Sequence, residues 1–215
     1  ATAALVEESV SRNEGQLVKG GALAVLTGPH TGRSPNDKFV VREQSSEDKV
    51  WWGPVNKEFP RDKFNALLQK AKDFVKGKDL FVADCWVGAD KRYRRGVRVV
   101  NLHAWHNLFA QTLFMPTNKM PEGTEGFDPE YTILHVPDME AVPEADGTRS
   151  GTFILIDFGQ KIVLIGGTQY AGEIKKSLFT TMNYLLPLDG VMPMHCSANV
   201  GKEGDVALFF GLSGT

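Results

Sequence analysis

The chain has 215 residues, 42% hydrophobic and 23% charged, enough to bury a core without disulfide or metal staples. A formal net charge of −2 provides no broad basic field, which argues against nucleic acid or an anionic membrane as a partner, so an anionic ligand must be met by a few placed cations. The most apolar stretch, 153–165, is broken by Asp157 and Lys161 and is unsuited to spanning a bilayer, and the acid-bearing start ATAALVEESVSRNE does not read as a secretory leader.

In chain order, Ala22–Leu26 and Phe39–Val41 read as short strands around the polar loop TGPHTGRSPNDK. Phe64, Leu67, Leu68, Ala71, Phe74 and Val75 recur at helical spacing between Pro60, suited to a first turn, and Gly77, suited to a stop. Leu80–Val87 predicts a buried strand, Arg92, Arg94 and Arg95 a solvated basic strip, and Val97–Asn101 another strand. Trp105, Leu108, Phe109 and Leu113 mark an amphipathic helix closed by Pro116. Tyr131–Val136 is a strand between Pro-, Gly- and acid-rich connections. Thr152–Ile156 and Lys161–Ile165 form a hairpin turning near Gly159-Gln160, and a helix over Gly172–Leu186 follows, ended by Pro187, with Ile174, Leu178, Met182 and Leu185 inward. Val191–Ser197, a tight turn at GKEGD and the strand Val206–Phe210 complete the chain. The irregular alternation predicts a mixed sheet in an α/β or α+β chain. Cys85 and Cys196, distant and outside any CxxC pattern, read as buried small hydrophobes in a reducing, cytoplasmic setting.

Four segments can carry chemistry. The strand ending in FFGLSGT resembles the opening of a phosphate-binding loop, in which backbone N–H groups wrap phosphates, although a strand before a Gly-rich turn is common in any fold. In Gly166-Gly167-Thr168-Gln169-Tyr170-Ala171-Gly172-Glu173-Ile174-Lys175-Lys176, glycines at a strand-to-helix turn let a ligand approach the backbone. Lys175 and Lys176 there oppose the helix dipole, as a functional site can, or are ordinary solvated charges. Arg33, in a Gly/Pro-shaped loop, can present a planar fork to a carboxylate or phosphate; the plain alternative is a surface arginine. His195, beside an apolar strand, fits a hydrogen-bonded core residue or a ligand. His103 and His106, with no third ligand nearby in sequence, read as structural.

Taken together, TGRSPNDKFVVRE, the WWG at 51–53, IGGTQYAGEIKKSLFTTMNYLLP and MHCSANVGKEGDVALFFGLSGT resemble the ATP-dependent phosphoenolpyruvate carboxykinases, from Leu5 onward. The resemblance implies an α/β fold with a mixed sheet: residues 1–190 as the N-terminal substrate-binding domain, and 191–215 as the start of a mononucleotide-binding domain. It implies the reaction oxaloacetate + ATP = phosphoenolpyruvate + ADP + CO2, which feeds gluconeogenesis. Carried over by motif, Arg33 clamps the substrate carboxylate, Tyr170 contacts substrate or CO2, and Lys175 neutralises phosphate or substrate charge. Lys176 and His195 correspond to ligands of Mn²⁺ and to ATP contacts, and Lys176 also to a substrate contact. Gly211, Leu212, Ser213, Gly214 and Thr215 would line the phosphates of ATP, which Mg²⁺ accompanies, with Ser213 near the substrate. The absence of an initial Met and the stop after Gly214-Thr215 predict a piece of a longer protein, inactive by itself, because the residues completing the phosphate loop and the metal site would lie beyond Thr215. Another phosphotransferase with a similar phosphate loop, or a domain without catalysis, are the competing readings. A monomer is the simpler oligomeric expectation.

Overall fold

A computed structural model describes residues 2–211. They comprise helices α1 (Thr2–Ser11), α2 (Arg61–Phe74), α3 (Ala104–Leu113), α4 (Pro143–Asp146) and α5 (Gly172–Leu188). The strands are β1 (Gly15–Leu17), β2 (Leu23–Val25), β3 (Lys38–Val41), β4 (Glu58–Phe59), β5 (Phe81–Val87), β6 (Arg95–Asn101), β7 (Met115–Pro116), β8 (Tyr131–Val136), β9 (Phe153–Asp157), β10 (Ile162–Gly166), β11 (Ser197–Val200) and β12 (Val206–Phe209). The chain divides into two compact units, one ending at Phe179 and the other starting at Thr180.

The first unit is built on an eight-stranded sheet in the order β4-β3-β9-β10-β8-β6-β5-β7. Strands β6, β8 and β10 run parallel to one another. Strand β9 turns back antiparallel on β10, and β3 runs parallel to β9. The sheet is therefore mixed, as its irregular alternation of elements predicts. This polarity has a direct consequence: the carboxyl ends of β6, β8 and β10 lie at the same end of the sheet as the beginnings of β3 and β9. Lys38 sits opposite Ile154, Phe153 opposite Gly166, and Gly166 opposite Val136.

Both faces of the central strands are covered, and every residue of β9 is buried. On one face, Phe64, Leu67, Leu68 and Ala71 of α2 join Phe153, Leu155, Leu164 and Val136 in a continuous apolar cluster. Helix α3 lies on the other face, against β5, β6 and α1. Its buried residues match the apolar set that the periodicity suggests only at Trp105. His106 and Asn107 are buried, while Leu113 is 40% exposed. Asn107 Nδ2 donates to the Phe81 carbonyl and to Asn101 Oδ1, both at 3.1 Å, so this face is closed by hydrogen bonds as well as by apolar packing.

Several local expectations need correction. Strand β5 lies one place from the sheet edge and buries only alternate residues such as Ala83 and Cys85, with Val82 at 55% exposure. Of the arginines expected in solvent, Arg92 is exposed and paired with Asp90. Arg94 instead stacks over the Trp86 ring at 4.1 Å, and Arg95 is largely covered. Pro187 does not end α5, because a proline in the last turn removes a hydrogen bond the helix can spare; Gly190, at φ +74°, marks the stop. Residues 191–196 form no regular strand. The second unit instead carries the antiparallel ribbon β11–β12, with Ser197 opposite Phe209 and Val200 opposite Val206. Cys85 is buried, and burial pushes its thiol up to about 12, whereas Cys196 is exposed.

The β9–β10 hairpin turns on a buried carboxylate. Asp157 is fully buried, accepts from the Gly159 and Gln160 N–H groups at 3.0 and 3.1 Å, and is paired through both oxygens with Arg61 at the start of α2. Removing the cation leaves a buried charge half satisfied. Arg61→Leu is accordingly expected to destabilise the first unit by about 2–4 kcal/mol in urea unfolding, more than Arg92→Leu at the exposed Asp90 pair.

Candidate active site

The parallel strands and the hairpin deliver four loops to one end of the sheet: 31–37 before β3, 137–152 between β8 and β9, 167–171 after β10, and Leu102-His103 after β6. Ligands of open α/β sheets bind at such carboxyl ends. A cavity of about 370 Å³ opens here between Thr27–His30, Pro137-Asp138 and Gly167–Gln169. A second, of about 700 Å³, lies alongside between Arg12–Gln16, Ala24–Leu26, His103 and Trp105.

The loop 31–37 is fixed from two sides. Asp37, 4% exposed, accepts from Arg149 Nε and Nη2 at 2.9 and 3.0 Å and from Ser150 Oγ at 2.9 Å, tying it to the segment before β9. The Ser34 N–H donates to Glu173 Oε1 at 2.6 Å, tying it to the first turn of α5. Arg33, between these anchors, remains exposed.

The turn after β10 is equally constrained. Gly167 has φ +64°, and a Cβ there would overlap the Gly151 carbonyl. Thr152 Oγ1 donates to the Gly167 carbonyl at 2.8 Å, so it accepts a hydrogen bond from His30 Nε2, 3.1 Å away. The Tyr170 N–H donates to Thr168 Oγ1 at 3.1 Å. A Cβ at Gly172 would strike the Tyr170 ring, so this glycine lets the ring lie over the helix start.

Helix α5 begins at Gly172, which places Lys175 and Lys176 at the end of its first turn and the acid Glu173 at its start. Glu173 is the residue that sequence reasoning passed over. It is 4% exposed, and burial raises its pKa although the Ser34 N–H, Arg33 and Lys38 all favour the carboxylate. The visible signal was an acid beside the N-terminus of a lysine-bearing helix, where the dipole favours it. The lysines respond to the same surroundings. Burial, then Arg33, then Lys175 lower the pKa of Lys176, and burial lowers that of Lys38 despite Glu173 nearby. Lys175 is exposed, Lys176 and Tyr170 are half-buried, and Lys176 Nζ lies 5.2 Å from the Phe179 ring centre.

The first unit thus brings Arg33, Glu173 and Lys176 into one electrostatic neighbourhood, with Tyr170 and Lys175 on the adjoining turn and helix. His195 belongs to the second unit, where it is exposed on the irregular stretch 191–196 rather than in a core. Gly211 is exposed after β12, and Leu212, Ser213, Gly214 and Thr215 lie outside the described residues. Among the described residues, no group of three or more His, Cys, Asp and Glu side chains could hold a metal ion.

The molecule defined here is a mixed α/β chain that gathers basic loops around a buried carboxylate at the carboxyl end of its parallel strands. The family model described as phosphoenolpyruvate carboxykinase matches residues 1–215, and the chain belongs to that family. It is 54% identical over 213 residues to phosphoenolpyruvate carboxykinase (ATP) of Thermus thermophilus, covering 98% of this chain and 40% of the relative. It is 56% identical over 212 residues to the protein of that name from Brevibacillus brevis, with the same coverage. With phosphoenolpyruvate carboxykinase (ATP) 2 of Moorella thermoacetica it shares 51% identity over 213 residues, 99% of this chain and 40% of the relative. The chain therefore spans about 40% of the length of these curated relatives.

The buried acid gives a test with a defined sign. A carboxyl whose folded pKa is raised holds its proton more tightly in the folded state, so its burial lowers stability as pH rises from the ordinary glutamate range through the folded pKa. Glu173→Gln keeps an acceptor for the Ser34 N–H and should flatten that decline between pH 4.5 and neutrality. Glu173→Ala removes the acceptor as well and should cost about 1–2 kcal/mol at pH 5, read by thermal unfolding across the pH range.

Proposed function

We propose that this chain forms part of an ATP-dependent phosphoenolpyruvate carboxykinase and supplies the oxaloacetate side of its active site. The observation that carries the reading is the convergence of the Arg33 loop on the start of α5 through the Ser34–Glu173 hydrogen bond of 2.6 Å. It is supported by family membership over the whole chain.

The chemistry fits these residues. Loss of CO2 from oxaloacetate leaves an enolate, whose oxygen then attacks the γ-phosphoryl group of ATP to give phosphoenolpyruvate and ADP. Negative charge accumulates at the enolate and the transferring phosphoryl, so preplaced cations are the main requirement. Arg33 offers a planar pair of N–H donors to a substrate carboxylate. The Tyr170 hydroxyl, beside the helix start, is a donor for the substrate or the departing CO2. Lys175, exposed on the first turn, offsets substrate or phosphate charge. Glu173 keeps the cation cluster from repelling itself and, being buried, is not a competitor for the ligand.

Lys176 and His195 are the donors this chain offers to Mn²⁺. The chemistry of Lys176 suits the role, since burial, Arg33 and Lys175 all favour the neutral amine that a ligand must be. When bound, the ion supplies positive charge for enolate and phosphoryl oxygens. Gly211 and the four residues after it would meet the phosphates of ATP and its accompanying Mg²⁺. We place the substrate-binding domain at 1–190 and the start of the nucleotide-binding domain at 191–215, in a cytoplasmic protein that is a monomer. No helix among the described residues is long and apolar enough to cross a membrane.

Two assays test this reading. In a full-length polypeptide carrying this chain, Arg33→Ala should lower kcat/KM for oxaloacetate about 100- to 1,000-fold, and Arg33→Lys should recover only part of the loss. Unimpaired oxaloacetate turnover in Arg33→Ala would falsify the assignment and favour another phosphotransferase. The 215-residue chain alone should form no phosphoenolpyruvate; Mn²⁺-dependent formation by it would overturn the division of the site between this chain and the remaining length of its relatives.

A further inference from the structure

Beneath the 167–171 turn lie two histidines that the proposed chemistry does not use. His106 on α3 and His135 on β8 are both fully buried. Their rings meet edge to face with centroids 4.3 Å apart, and the Trp105 ring lies 3.7 Å from that of His106. His106 Nε2 is 2.8 Å from the Gln169 carbonyl oxygen, and His135 Nε2 is 3.0 Å from that of Thr168. A carbonyl oxygen only accepts, so each Nε2 must carry the proton. Each Nδ1 is buried without a hydrogen-bond partner, and a second proton there would create an unsatisfied, buried cation facing another ring of the same kind.

We infer that His106 and His135 are positioning residues, a pair of neutral Nε2–H tautomers that grip two consecutive carbonyls, Thr168 and Gln169, and thereby set the path of the chain delivering Tyr170 and the first turn of α5. Its functional meaning rests on the reading of Tyr170, Lys175 and Lys176 given above; its geometry does not. Gripping successive carbonyls fixes two adjoining peptide planes, 168–169 and 169–170, so the Tyr170 N–H can point only one way, towards Thr168 Oγ1. The turn needs such a restraint because it follows Gly167, whose backbone has the widest conformational freedom. Burial acts in the same sense on protonation, pushing His135 down to about 4 and His106 well below its ordinary range, so the grip does not change near neutral pH.

The test uses the chain as it stands, with ¹⁵N-labelled histidine. Both rings should show a protonated Nε2 and an unprotonated Nδ1 from pH 6 to 8. His135→Phe, which keeps a ring but loses the donor, should speed amide exchange at 169–173 about tenfold, while strands β5 and β6 are unchanged. His135→Gln, whose amide can donate near the former Nε2, should restore protection. An Nδ1–H tautomer at either ring, or loop exchange in His135→Phe equal to that of the parent, would overturn the inference. Should His135→Phe fail to fold, the ring spectrum of the parent and the protection retained by His135→Gln decide. Oxaloacetate titration followed at the Arg33 and Tyr170 signals reports separately on the substrate assignment. Intact tautomers and loop protection without any oxaloacetate response would uphold the grip and remove the substrate.

Discussion

The 2.6 Å hydrogen bond from the Ser34 N–H to the buried Glu173 carboxylate is the contact on which the proposed site depends. It joins residues 139 positions apart, one before β3 and one at the start of α5. No local sequence preference could place these segments together. The sheet does so, because β3 and β9 begin where β10 ends. An acid removed from water is tolerated there only because a backbone donor and nearby cations compensate it. The same acid offsets part of the repulsion that Arg33 and Lys38 would otherwise exert on one another.

The balance of charge around that contact shows how a chain of nearly neutral net charge can present local positive character. Asp37, the other buried acid of the loop, is already engaged by Arg149 and Ser150. Glu173 faces inward. What the cluster presents outward is Arg33 and Lys175, with Lys176 half-covered behind them. Local positive character thus comes from turning the acids into the fold and the bases out of it, not from an excess of bases.

Much of this was legible in the residues, and the failures share a cause. Tyr131–Val136 and the β9–β10 hairpin stand where alternation and turn residues put them, because each is a local pattern. Helix α2 follows its apolar spacing for the same reason. Helix α1, strand β1 and the two-residue strands carry too little pattern to be read. Apolar periodicity read α3 only in part: Trp105 is buried as expected, but so are the polar His106 and Asn107, held through the distant Gln169 and Phe81 carbonyls. Arg33, Tyr170, Lys175 and Lys176, the residues proposed for the site, stand in motifs, whereas Glu173 offers in sequence only the weak signal of an acid at a helix start and gains its place through its contact with Ser34. His195 was weighed as a core residue or a ligand, and its exposure removes the first of these.

The unlike environments of the two cysteines have a practical consequence for chemical probing. Cys85 is sealed in the sheet, its thiol held protonated by burial, so an alkylating reagent has neither access nor thiolate to attack there. Cys196 stands in solvent immediately after His195. Within these 215 residues a thiol-reactive spin label or fluorophore would therefore mark a single position without any engineered substitution, and that position adjoins the histidine proposed to hold Mn²⁺.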